Sequence, residues 1–224
     1  MTDQPDPAAH GETAYQGRFS AAGINCVRGE RLVFQDIGFT LGAGGALILR
    51  GPNGSGKSSL LRLATGLLRP EAGVISWDGE DIAKDFATHR TRLHYVGHQD
   101  PVKSALTVEE NVAFWAAMGG RPEATHEALA LLEIDNLADV PARFLSAGQR
   151  RRVNLARIVA AHAPLWLLDE PTVGLDDSAV AALGRIIAEH RSRRGMVMVA
   201  THLDLGLEDA DVLTLSQPPV PSEE

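Results

Sequence analysis

Cysteine is almost absent from this chain of 224 residues: Cys26 is the only one. No disulfide can form within the chain, and no cysteine-based zinc site can be built. That composition is compatible with a reducing compartment. Long apolar runs are missing too. Nothing approaches the ~20 apolar residues of a spanning helix, and the longest apolar region, "IVAAHAPLWLL", is broken by His162 and Pro164. The opening "MTDQPDPAAHGE" is acidic and proline-bearing with no apolar core, so it does not read as a signal peptide. These features give the expectation of a cytoplasmic protein, unless something else holds it at a membrane. An excess of positive charge is also lacking. The formal net charge is −8, which argues against a general nucleic-acid binder, because such proteins present a basic face.

What is present is an ordinary globular composition, 44% hydrophobic and 22% charged, which suits one large domain with a buried core. Residues 1 to 17 and 218 to 224 read as disordered tails around a single domain, 18 to 217. "FSAAGINCV" and "RLVFQDIGFTL" alternate as strands joined by a turn. "GALILRG", "LHYVGH", "LWLLDE", "GMVMVATH" and "DVLTL" read as strands, several apolar enough to be buried. "KSSLLRLATGLL" has helical spacing, with Leu60, Leu63, Ala64 and Leu67 on one face. Between about residues 103 and 163, three helices follow one another with no strand between them. They begin at Thr107, near Pro122 and at Ser146, and they resemble a helical insertion in an α/β domain. "DDSAVAALGRIIAEHRSRR" is a further helix, with acids first and arginines last as the helix dipole favours.

The chemistry begins at "GPNGSGKSS". Gly51, Gly54 and Gly56 allow a tight bend through Pro52, Asn53 and Ser55. The spacing G-x-x-x-x-G-K-[ST] is that of a phosphate loop, followed by Ser59 in the first turn of a helix. Its backbone N–H groups would face a β-phosphate, Lys57 would reach the β- and γ-phosphates, and Ser58 could ligand Mg²⁺. Asp169 ends the apolar strand "LWLLDE" and could hold the Mg²⁺ shell; Glu170, next to it, could deprotonate an attacking water. Ser146 in "LSAGQ" is a natural N-cap. Alternatively, with the N–H groups of Ala147 and Gly148, it presents a second phosphate-binding surface. Both phosphate surfaces are helix starts in different parts of the chain, so the second reading implies a second chain. His202 and Gln99 each follow a strand, on the side of a parallel sheet where ligands bind. His202 is either structural or part of the site, and the Gln99 amide could reach Mg²⁺ or water. "RRR" at 150 to 152 reads as a solvated helix face, and His94 with His98 do not read as a metal pair.

In this order the motifs resemble those of the ATP-binding cassette ATPases, over about residues 19 to 215. "GPNGSGKSS" is similar to their Walker A, Gln99 to the Q-loop, "LSAGQ" to the signature, "LWLLDE" to Walker B, "GLDD" with Asp176 to the D-loop, and His202 to the switch histidine. The resemblance implies an α/β P-loop ATPase fold with a mixed β-sheet, an antiparallel β subdomain and a helical signature subdomain. It implies ATP and Mg²⁺ as ligands, Glu170 as base, and Gln99 and His202 as sensors of the γ-phosphate. The signature residues Ser146 to Gln149 would close on the ATP of a partner in a head-to-tail homodimer. The partner across the membrane would be an integral transporter subunit, with this chain peripheral on the cytoplasmic face of the inner membrane. Within the family, "YVGHQDPVKSALTVEENVAFW" and "RFLSAGQRRRVNLARIVAAHAPLWLLDEPT" are similar to segments of the ATP-binding subunits that serve cytochrome c biogenesis (haem export). That likeness implies transport-coupled ATP hydrolysis and haem-handling partners. The chain departs from the family at three places. Ala147 stands where the signature usually has glycine, "GLDD" replaces the commoner serine-alanine form, and Arg28 lies about where an aromatic usually stacks on adenine. A non-transport ATPase of the same family usually needs two cassettes in one chain. A small-molecule kinase would have no use for "LSAGQ" or "GLDD".

Overall fold

The structure, a computed structural model, describes residues 16–216. The expected disordered tails lie outside the described residues, except for Gln16 and Gly17. Among the described residues nine strands form two sheets. β1 (Arg18–Arg28), β2 (Arg31–Gly42), β4 (Ala72–Trp77) and β5 (Glu80–Asp81) make an antiparallel sheet in the order β2-β1-β4-β5. β3 (Ala46–Arg50), β6 (Leu93–Val96), β7 (Leu165–Asp169), β8 (Met196–Ala200) and β9 (Asp211–Thr214) make a wholly parallel sheet in the order β6-β7-β8-β3-β9. The two strand directions that the sequence implies are thus divided between two sheets.

Both faces of the parallel sheet are covered, so its central strands carry apolar residues without alternation. On β7, Leu165 and Leu167 face one core; Trp166 and Leu168 face the other. The first core joins the sheet to Leu60, Leu61 and Leu63 of α1 (Lys57–Ala64), and to Phe19, Ile24 and Ile75 of the antiparallel sheet. The second joins it to α6 (Asp177–Ser192) through Leu183, Ile186 and Ile187. That core continues into three helices between β6 and β7: α3 (Val108–Met118), α4 (Ala124–Leu131) and α5 (Ala147–Ala160). Thr107 and Glu110 form a capping box that starts α3. Among the described residues no helix is long and apolar enough to cross a membrane.

Two elements differ from the sequence reading. α1 stops at Ala64, because Gly66 adopts a left-handed φ of 74° just beyond it, and Leu67 is exposed rather than on the buried stripe. A short helix not read from the sequence, α2 (Phe86–Thr91), starts where the Asp85 side chain accepts a hydrogen bond from the Thr88 N–H.

Candidate functional site

Because all five strands of the second sheet run the same way, their carboxyl ends deliver their loops to one edge. That is the edge where open α/β sheets bind ligands. From β3 comes the glycine loop. Gly51 has a φ of 139°, and a Cβ there would press on the Leu215 carbonyl and sit 2.7 Å from Ser55 Oγ. Gly56, the N-cap of α1, has a φ of 102°, and a Cβ there would strike Val33 and Phe34. The loop is therefore built for bare backbone. Ser55 Oγ is fully buried and has no hydrogen-bond partner among the described residues. Lys57 is 7% exposed, and its Nζ donates to the carbonyls of Gly51 (2.8 Å) and Pro52 (3.2 Å), its own loop. Asn53, Gly54, Lys57, Ser58 and Ser59 line a cavity of about 450 Å³ that also touches His98, Asp169 and Glu170.

β7 supplies the opposite wall. Asp169 is buried, and its Oδ1 accepts a hydrogen bond from Ser58 Oγ at 3.0 Å. Tyr95 Oη donates to Asp169 Oδ2 at 3.5 Å. Burial first, and the Asp169 charge second, raise the Tyr95 pKa, so the phenol stays a donor. His98 Nε2 lies 3.4 Å from both Ser58 Oγ and Asp169 Oδ2. Glu170 adopts a φ of 48°, a left-handed conformation that side-chain-bearing residues seldom take. Its N–H donates to the Ala200 carbonyl at 2.8 Å, tying the turn to the end of β8. His202, just past β8, places Nε2 3.4 Å from Glu170 Oε1. Gln99 is exposed and does not line this cavity. β6 ends at Val96, two residues short of the strand "LHYVGH" read from the sequence, so Gln99 lies in the loop beyond it.

A second cavity, of about 670 Å³, lies at the start of α5. It is lined by Ser146, Gly148, Gln149, Arg152, Gly174 and Asp176, among others. Ser146 Oγ accepts from the Gln149 N–H, and Gln149 Oε1 accepts from the Ser146 N–H. This capping box leaves the intervening N–H groups at the helix start for other acceptors. Gly148 approaches Gly174 so closely that a Cβ would lie 2.5 Å from its carbonyl oxygen. Ala147 is exposed, so its methyl crowds nothing in this chain. Asp176 caps α6 by accepting from the Ala179 N–H, and that bond leads the causes that lower its pKa. Arg152 Nη2 donates to both Asp176 oxygens at 2.7 Å. The two cavities have no lining residue in common.

The structure thus gathers Lys57, Ser58, Asp169, Glu170 and His202 at one place, and Ser146, Gly148, Gln149 and Asp176 at another. Four contributors escaped the sequence reading. His98 and Tyr95 reach Asp169 because β6 runs beside β7. The run 150 to 152 is solvated only in part: Arg150 is exposed, but Arg151 is 4% exposed and Arg152 is held by Asp176. Helical spacing carried that signal, since 151, 155 and 158 share the buried side of α5.

A hydroxyl from Ser58 and a carboxylate from Asp169 make a hard-oxygen donor pair suited to Mg²⁺. Among the described residues no cluster of three or more histidines, cysteines or acids could hold a metal unaided. The pair fits an ion that takes its remaining oxygens from phosphate and water.

Comparison with known proteins agrees with this geometry. A family model described as ABC transporter matches residues 34–173. A "Cytochrome c biogenesis ATP-binding export protein CcmA" of Rhodospirillum rubrum is 52% identical over 217 residues, covering 96% of this chain and 92% of that protein. The protein of the same name in Paramagnetospirillum magneticum is 50% identical over 206 residues, covering 89% and 94%. A solved structure described as the ATP binding subunit of an ABC transporter superposes with a TM-score of 0.78 at 24% identity, covering 89% of this chain and 87% of that one. The last supports the fold alone.

Proposed function

This chain belongs to the ABC transporter family, and on that premise we propose that it is the ATP-binding and ATP-hydrolysing subunit of the transporter complex for c-type cytochrome biogenesis. The single observation that carries the enzymatic reading is the pairing of Glu170 with His202 at 3.4 Å, on the rim of a glycine loop whose lysine donates to two carbonyls of its own loop.

The residues act as follows. The loop N–H groups and the start of α1 receive the β-phosphate. Lys57 exchanges the Gly51 and Pro52 carbonyls for phosphate oxygens. Ser58 and Asp169 would hold Mg²⁺, which when bound neutralises charge on the β- and γ-phosphates. Glu170 accepts a proton from the attacking water as the water oxygen bonds to the γ-phosphorus. The bond from that phosphorus to the bridging oxygen breaks, and ADP and phosphate leave. His202 orients Glu170 and faces the γ-phosphate. Gln99, exposed beyond β6, approaches that phosphate when the site closes.

Ser146, Ala147, Gly148, Gln149 and Asp176 complete the site of a second copy in a head-to-tail homodimer. The separation of the two cavities within one chain supports this. Energy from closure passes to an integral membrane subunit, with this chain peripheral at the cytoplasmic face of the inner membrane. Haem-handling maturation proteins are the expected companions, as the sequence resemblance implies; the names of the relatives specify cytochrome c biogenesis.

The test is to tag the chain in its own cells and identify what co-purifies from gently solubilised membranes. A small integral membrane subunit together with haem-handling proteins is the expected result. An unrelated permease would refute the cytochrome c assignment, and ribosomes or DNA without a membrane protein would refute the transport reading.

A further inference from the structure

Arg151 sits in the second turn of α5, five residues after the Ser146 cap, with its guanidinium buried. A guanidinium has five N–H donors, and five acceptors meet this one. Nη2 donates to the carbonyls of Asp169 (3.1 Å) and Glu170 (2.8 Å), and Nε donates to that of Pro171 (3.2 Å). Nη1 donates to the Gly97 carbonyl (2.8 Å) and to Asp100 Oδ1 (2.9 Å). Three of these acceptors are consecutive carbonyls of the turn that carries Glu170. That turn holds a left-handed φ of 48°, a conformation that persists only when its surroundings enforce it. Asp100 is fixed in turn by Asn154 Nδ2 at 2.6 Å, and Asn154 Oδ1 accepts from Arg157 Nε. One face of α5 is therefore a buried polar strip. It grips the segment after β6 with one set of bonds and the Glu170 turn with another.

We propose that Arg151 is a positioning residue for Glu170, fixing the carboxylate through its main chain and coupling it to the helix that begins at Ser146. The proposal rests on the reading of Glu170 as the base. In the head-to-tail dimer, α5 is the helix whose start meets the partner's nucleotide. A shift of α5 on that contact reaches Glu170 through a rigid planar fork, without passing through an intervening loop. Lysine could not substitute, because one ammonium cannot span five acceptors on two segments.

The test uses the full chain and four variants: Arg151→Gln, Arg151→Lys, Glu170→Gln and the double variant Arg151→Gln/Glu170→Gln. Affinity is read with a fluorescent ATP analogue, hydrolysis by steady-state and hours-long single-turnover assays, and folding by thermal midpoint. In the Arg151 variants kcat should fall about tenfold or more, the scale of a mispositioned catalytic group. Nucleotide affinity should stay within about twofold, and lysine should restore little. In the Glu170→Gln background, adding Arg151→Gln should change the residual rate by less than about twofold, because the group it positions is already gone. A full multiplicative loss in the double variant, a parallel fall of affinity and kcat, or an unchanged kcat would each overturn the proposal. If Arg151→Gln does not fold, Asp100→Asn takes its place: it removes the one charged acceptor and should show a smaller kcat loss, again absent in the Glu170→Gln background. Parental hydrolysis in Glu170→Gln alone would instead sink the base assignment, an outcome separate from all of these.

Discussion

Lowering the pH from about 7.5 to about 5 should destabilise this chain by about 4 kcal/mol, through two histidines. His94 and His190 are each half-buried, and desolvation pushes each pKa down to about 4. His94 Nε2 lies 3.0 Å from the Ala161 carbonyl; the His190 ring stacks on Trp166 at 3.9 Å with 6° between planes. In the unfolded chain both return to about 6.5. The folded pKa is the lower one, so protons favour the unfolded state. Stability is complete above about 6.5 and drains away as the pH falls from there towards about 4. At about pH 5 the solution is ~1.5 units below the free imidazole value, and each unit is worth about 1.4 kcal/mol, so each histidine removes about 2 kcal/mol. His190→Phe keeps the stacked ring but cannot titrate. It should carry a constant packing penalty of about 1 kcal/mol and halve the pH effect. Urea unfolding at the two pH values reads this directly. With an m-value of about 2 kcal/mol/M, the parent midpoint should drop by about 2 M and the variant's by about 1 M. Equal drops in parent and variant would refute the assignment of the acid response to desolvated, neutral imidazoles.

Three further outcomes are expected. Gly51→Ala should abolish binding of a fluorescent ATP analogue, because the new methyl collides with the Leu215 carbonyl and Ser55 Oγ in a left-handed turn; retained affinity would show that the loop can yield. Arg152→Ala should leave that affinity intact and lower steady-state hydrolysis several-fold, since it frees Asp176 in the second cavity; an equal loss of nucleotide binding would contradict the separation of the cavities. Leu167→Ala, at a fully buried position of β7, should cost about 3 kcal/mol in urea unfolding. A cost below about 1 kcal/mol would mean that the core beneath the site collapses around the cavity.

Much of the site was legible because its chemistry is local in sequence. The glycine spacing, the acids closing "LWLLDE" and the Ser146 cap each announce themselves within a few residues. Strands β7 and β8 were legible because burial on both faces leaves an unbroken apolar run. Contacts across the chain were not legible. His98 reaches Ser58 over forty positions, and nothing in "VGHQD" distinguishes it from Gln99, which is exposed as His98 is but lines no part of the cavity. Arg151 looked solvated because charge was weighed before helical phase; the acceptors that let it be buried are main-chain carbonyls, which leave no mark on a sequence. α2 is held by one aspartate cap over six residues, too short for an apolar period to emerge.

The uniform direction of the five-stranded sheet sets its amino edge opposite the nucleotide loops. The turns there are stitched to one another: the Gly44 N–H donates to the Arg194 carbonyl, Arg191 Nε to the Gly44 carbonyl, and the Met196 N–H to the Pro164 carbonyl. Five-residue strands at ~3.3 Å per residue hold this edge ~16 Å from the nucleotide loops. It is therefore the place to attach a reporter. Cys26, the only cysteine, is buried, so a thiol introduced at the exposed Ser192 would be the one that a maleimide dye finds. A dye there leaves every loop of the opposite edge untouched, and two such chains could then report their own approach by energy transfer.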